Sequence, residues 1–123
     1  MKFEKKILSK VKIVDPIFIE GLPGIGNIGK ISADFLVENL NAKKIMEIHS
    51  DHFPHSVFIN EKNLIEVPCL EIYFKKINQQ DYLFLIGDIQ PIDEPSCYEC
   101  CDVIMKYLSK LNTKEVVTLG GIG

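Results

Sequence analysis

Arginine is missing altogether: the 14 positive side chains of this 123-residue chain are all lysine. Arginine supplies the planar two-point fork that grips phosphates and guanine edges, so its absence weighs against any function built on that fork. A formal charge of −3 leaves no broad basic footprint for nucleic acid either. No apolar run approaches the roughly 20 residues that cross a bilayer. Lys5, Lys6 and Lys10 interrupt the apolar stretch that a signal peptide would need at the N-terminus. The expectation is a cytoplasmic protein with no membrane partner. Cysteine is limited to Cys69, Cys97, Cys100 and Cys101, which a cytosolic chain keeps reduced, so no structural disulfide is expected. There is no repeat, linker or low-complexity segment. The length fits one domain, residues 1–123.

What the chain does have is glycine in one place. Residues Gly21 to Gly29 read Gly-Leu-Pro-Gly-Ile-Gly-Asn-Ile-Gly. They follow Ile17-Phe18-Ile19, an apolar run that reads as a buried strand. They precede Ile28, Ile31, Phe35, Leu36 and Leu40, whose spacing predicts a helix with those residues inward and an end near Asn39 to Asn41. Asn27 stands where a side-chain N-cap belongs. A strand–glycine turn–helix leaves backbone N–H groups at the helix start, able to hold an anion or a partner's carbonyl.

The remaining elements read as follows. Val11, Ile13 and Val14 suggest a short edge strand, and Lys44 to His49 another strand. Val57-Phe58-Ile59 and Leu64-Ile65 flank the polar turn Asn60 to Asn63 as a hairpin. Leu70, Ile72 and Phe74 alternate with Glu71 and Tyr73, a half-exposed strand. Asn78 to Asp81 turn the chain into Leu83-Phe84-Leu85-Ile86, whose continuous apolar character marks a central strand. Pro95 opens a second helix, with a stripe at Cys97, Cys101, Ile104, Leu108 and Leu111. Val116, Val117 and Leu119 form a last strand that enters the second glycine turn, Gly120-Gly121-Ile122-Gly123. This order predicts an α/β domain with a mixed, mainly parallel sheet and an antiparallel hairpin insert. A core strand running into a glycine turn normally feeds another helix. The chain is therefore expected to be the N-terminal part of a longer domain, or to be completed by another chain.

Gly24, Gly26 and Gly29 satisfy the spacing of a dinucleotide fingerprint, but the acidic residue that would hold a ribose is badly placed: Glu47 lies mid-strand and Asp51 beyond it. A tight turn with close helix–strand packing explains the glycines at least as well. His49, His52 and His55 form H-x-x-H-x-x-H, which matches no standard metal spacing and is broken by Phe53-Pro54, so they read as polar loop residues. Cys97-x-x-Cys100 lacks a second pair and overlaps the helical stripe, so core packing is the better reading. No metal and no cofactor are expected. Asp88, in Gly87-Asp88-Ile89-Gln90-Pro91, ends a central strand, where α/β proteins place site residues. No nucleophile–base pair accompanies it, so no catalytic residue is assigned. A carboxylate that accepts N–H groups of the neighbouring glycine turn is its expected role. If the strands before Gly24, Asp88 and Gly120 run parallel, their ends share one rim. The candidate residues for a ligand or partner there are Pro23, Gly24, Gly26, Asn27, Gly29, Asp88, Gln90, Gly120 and Gly121.

In order and spacing, Glu20 to Gly29, Phe53-Pro54, Gly87 to Pro91 and Gly120 to Gly123 resemble the archaeal proteasome assembly chaperone family, homologues of the second eukaryotic proteasome assembly chaperone. The resemblance runs from about Pro16 to the end. It implies a three-layer α/β fold similar to nucleoside phosphorylases and a chain about twice this length. It also implies a noncatalytic, homo-oligomeric module that binds proteasome core subunits during ring assembly. Some members carry a C-terminal hydrophobic-Tyr-any-residue docking tail, and the Gly-Gly-Ile-Gly end has none. The alternative is an enzyme or sensor that binds a phosphorylated small molecule or nucleotide at the glycine turn.

Overall fold

The computed structural model describes residues 3–50, 58–59, 65–66, 69–89 and 93–120. Strand β1 (Phe3–Ile7) is followed by β2 (Ile17–Gly21), a 3-10 turn (Ile25–Asn27), helix α1 (Ile28–Asn39) and β3 (Lys43–Ser50). Next come β4 (Phe58–Ile59), β5 (Ile65–Glu66), β6 (Leu70–Ile77), β7 (Gln80–Gly87), helix α2 (Glu94–Lys110) and β8 (Glu115–Thr118). Six strands form one sheet in the order β1-β3-β6-β7-β2-β8, and β4 pairs with β5 separately.

The sheet is mixed but mostly antiparallel, which corrects the mainly parallel expectation. The pairs β1–β3, β3–β6 and β6–β7 are antiparallel, and only β7–β2 and β2–β8 are parallel. The reason lies in the connections. A parallel neighbour needs a crossover long enough for a helix. Asn78 and Gln79 instead join β6 to β7 by a two-residue turn, both with φ in the left-handed region (49° and 68°) that such hairpins require.

Strand β7 organises the core. Leu83 and Leu85 point to one face with Phe18, Ile48, Leu70 and Ile72, and meet Cys100, Ile104 and Leu108 of α2. Phe84 and Ile86 point to the other face and meet Ala33 and Val37 of α1. Alternation along a strand covered on both sides is what an uninterrupted apolar run allows. Each such side chain contributes about 1.5–3 kcal/mol by leaving water.

Three local expectations change. Residues Val11 to Val14 make no strand. The Val14 N–H, which a ladder would use, is instead taken by the buried Asp81 carboxylate at 2.8 Å, while Val11 and Ile13 pack on the core as a loop. In α1 the buried residues are Gly29, Ala33 and Val37, whereas Ile28, Ile31 and Phe35 are 52%, 61% and 63% exposed. Contact with the sheet is so close that a Cβ on Gly21 would collide with the Gly29 carbonyl and the Ala33 Cβ, and only small residues fit between. In α2 the buried line is Ser96, Cys100, Ile104 and Leu108, and Cys101 is exposed. Four-residue steps drift by about 40° around a helix, which moves the stripe off Cys101 and onto Cys100 in the N-terminal turns. Asp93 caps this helix by accepting the Ser96 N–H at 2.8 Å, and Pro95 sits in its first turn. All four cysteines are thiols.

Candidate functional site

The parallel trio β7-β2-β8 sends three chain ends to the same side of the sheet. Gly21 pairs with Ile86, and Glu20 with Thr118. The turn at Gly24, the Asp88 segment and the approach to Gly120 therefore share one rim, as the sequence suggested. Past β2 the chain turns sharply: Gly26 (φ 65°) and Asn27 (φ 54°) are both left-handed, and the Asn27 N–H donates to the Gly24 carbonyl at 3.0 Å. Asn27 occupies the N-cap position of α1, yet its side chain makes no capping hydrogen bond.

Two contacts fasten the rim. A Cβ on Gly29 would run into the Leu119 carbonyl, so the start of α1 lies against the end of β8. The Leu119 N–H also donates to the Glu20 carbonyl at 2.8 Å, extending the β2–β8 ladder by one bond. Asp88 pairs with a side chain of α1. Its carboxylate meets the Lys30 ammonium at 2.8 Å, and Lys30 also bonds Asp34 at 2.7 Å. Hydrogen bonds to Asp34 and Asp88 hold the Lys30 pKa above its ordinary value. The i,i+4 spacing of Lys30 to Asp34 is a recognisable helical pair, but nothing in the sequence joins Lys30 to Asp88. Gln90 and Gly121 lie outside the described residues, as do His52 and His55. His49 belongs to β3 rather than to a loop.

The described glycines of the turn, Gly24 and Gly26, and Gly120 across from them are exposed. A Cβ on Gly24 or Gly120 would meet nothing within 4 Å, and Gly26 and Asn27 are exposed. Such a surface suits contact with a protein backbone. It suits phosphate poorly, because the rim's lysine is already neutralised by two carboxylates and Asp88 presents its own negative charge, 64% exposed. The phosphorylated-ligand alternative gains no support.

On the α2 face, beside the edge strand β8, lies an open, mainly apolar cavity of about 460 Å³ between Phe18, Leu22, Cys100, Met105 and Val116. Glu20 reaches into it, and burial raises its carboxyl pKa. Burial also pushes the Cys100 thiol up to about 12, which keeps it protonated and unreactive at neutral pH. No nucleophile with a base beside it occurs among the described residues of the rim or the cavity.

Fold and rim together define an α/β domain whose exposed glycine turn leads into a helix packed against the end of β8. The chain belongs to the PAC2 family, whose model matches residues 18–123. It is similar to PbaB of Pyrococcus furiosus, described as an archaeal proteasome activator: the TM-score is 0.90 at 34% identity, covering 98% of this chain and 51% of that one. It is also similar to PbaA of the same organism, described as an archaeal homolog of proteasome-assembly chaperone, with TM-score 0.78 and 30% identity over 99% of this chain and 50% of that one. The uncharacterized protein MJ1210 of Methanocaldococcus jannaschii is 32% identical over 128 residues, covering 100% of this chain and 49% of that protein. The chain thus spans about half the length of these relatives. No described helix is long and apolar enough to cross a membrane.

Proposed function

We propose that this chain belongs to a noncatalytic module that binds proteasome core subunits and assists their assembly, acting as a homo-oligomer in the cytoplasm. The observation that carries the reading is PAC2 membership together with 34% identity and a TM-score of 0.90 to a proteasome activator. The partner contact is the rim of Pro23, Gly24, Gly26, Asn27, Gly29, Asp88, Gln90, Gly120 and Gly121. Its physical merit is rigidity: the Gly29–Leu119 contact and the Lys30–Asp88 pair limit the ordering cost of binding. The wider architecture in this proposal is a longer, three-layer domain of the nucleoside-phosphorylase kind that continues beyond β8.

Pull-down of archaeal proteasome α-subunits with the chain in its full reading frame tests the reading. Capture is expected, and Asp88→Lys, which reverses charge on the rim, should weaken it without unfolding the protein. Failure to capture any core subunit would contradict the proposal.

A further inference from the structure

The antiparallel pairing of β3 and β6 assembles a donor set that sequence spacing conceals. Glu47 and His49 are two residues apart on β3 and so project from the same face. Ile48 pairs with Leu70, which brings Cys69, one residue before β6, opposite His49. The carboxylate of Glu47, the imidazole of His49 and the sulfur of Cys69 lie within 4.8 Å of one another, all partly buried. His49 Nε2 is 2.9 Å from Glu47 Oε1. The other carboxylate oxygen, Oε2, is held at 3.0 Å by Lys44, which in turn bonds Glu71 at 2.5 Å. The chain Glu71–Lys44–Glu47 thus fixes the Glu47 carboxylate and turns Oε1 toward the imidazole.

We propose that Glu47, His49 and Cys69 bind a divalent cation of the zinc class. A thiolate and an imidazole select a borderline-soft metal over calcium or magnesium, and a third, carboxylate ligand leaves one coordination position open. Metal–ligand bonds of about 2.0–2.3 Å place tetrahedral donors roughly 3.3–3.8 Å apart, a spacing that small side-chain rotations reach from the present arrangement. The His49–Glu47 hydrogen bond marks where the cation replaces a shared proton. The site ties the end of β3 to the start of β6. Leu70 pairs with Gly87, one residue before Asp88, so the cation sits on the same side of the sheet as the rim.

Titration of the metal-stripped chain with Co²⁺, followed by Zn²⁺, tests this. Expected are one equivalent bound, a thiolate-to-cobalt charge-transfer band in the near ultraviolet, displacement of Co²⁺ by Zn²⁺, and a rise in Tm. Cys69→Ser should abolish the band. The near-isosteric Glu47→Gln, which keeps the fold's shape, should lower affinity roughly tenfold or more. The double variant Cys97→Ser/Cys101→Ser should bind as wild type. The proposal is overturned if no band appears, if the band survives Cys69→Ser, or if it is lost with Cys97 and Cys101.

Discussion

At the residue scale the glycines of the turn separate into two kinds. Gly29 has no room for a side chain, because the obstacle is the Leu119 backbone carbonyl, which cannot rotate away. Gly29→Ala should cost a net 1–3 kcal/mol (about the usual penalty for overpacking), despite alanine's helix preference of about 1 kcal/mol. Gly24→Ala points into open space and should stay within about 0.5 kcal/mol; urea denaturation of the pair reads both. Glu20 gives a pH-dependent prediction. Burial raises its folded-state pKa above the ordinary 4.5, so folding favours its protonated form. Its destabilising effect is absent below pH 4.5 and grows as pH rises through the interval up to the folded pKa. Glu20→Gln should therefore raise Tm at pH 7, with the gain shrinking toward zero in acid. The Glu47–His49–Cys69 cluster was not legible at this scale. Spacing along the chain groups His49 with His52 and His55, and only strand register reveals Cys69 opposite it.

At the element scale, helix α1 shows why existence was easier to read than orientation. Apolar periodicity placed its ends correctly, from Ile28 to Asn39. It gave only part of the inward face: Leu36 and Leu40 pack on the sheet side, but hydrophobicity carries no information about how closely a helix approaches a sheet. Here the approach is limited by Gly21, Gly29 and Ala33, and the bulky residues Ile28, Ile31 and Phe35 turn outward. Ala33→Leu should destabilise by about 1–3 kcal/mol, while Phe35→Ser should change the unfolding free energy little and raise solubility. Opposite outcomes in thermal melts would put the sheet contact on the wrong side of the helix. The apolar middle of β7, Leu83 to Ile86, was legible, since four consecutive apolar residues have few other uses, but the strand begins at Gln80, so Gln80 and Asp81 belong to it and not to the turn. The segment before Pro16 was not: the Asp81 side chain captures the Val14 N–H from 67 residues away, and no local pattern announces that.

At the scale of the whole molecule, parallel order around β2 was legible from the glycine turns, but the antiparallel half was underestimated. Strand β8 stands at the sheet edge with Val116 exposed, next to the apolar cavity. An apolar edge invites strand pairing with a second copy. The chain should therefore self-associate with rising concentration, and Val116→Lys should shift light-scattering masses toward monomer. A mass constant across the concentration range would argue against association through this edge.

The position of β2 has a consequence for biosynthesis. This early strand sits between β7 and β8, its partners lying at residues 82–86 and 115–118. A nascent chain halted after β7 would hold a nearly complete hairpin layer, yet the first helix would still lack the late carbonyl against which its leading glycine rests. Closure of so distant a loop is slow. The ribosome must deliver almost the entire segment before that corner locks, so premature release would leave the Gly29–Leu119 corner unformed while much of the core already exists.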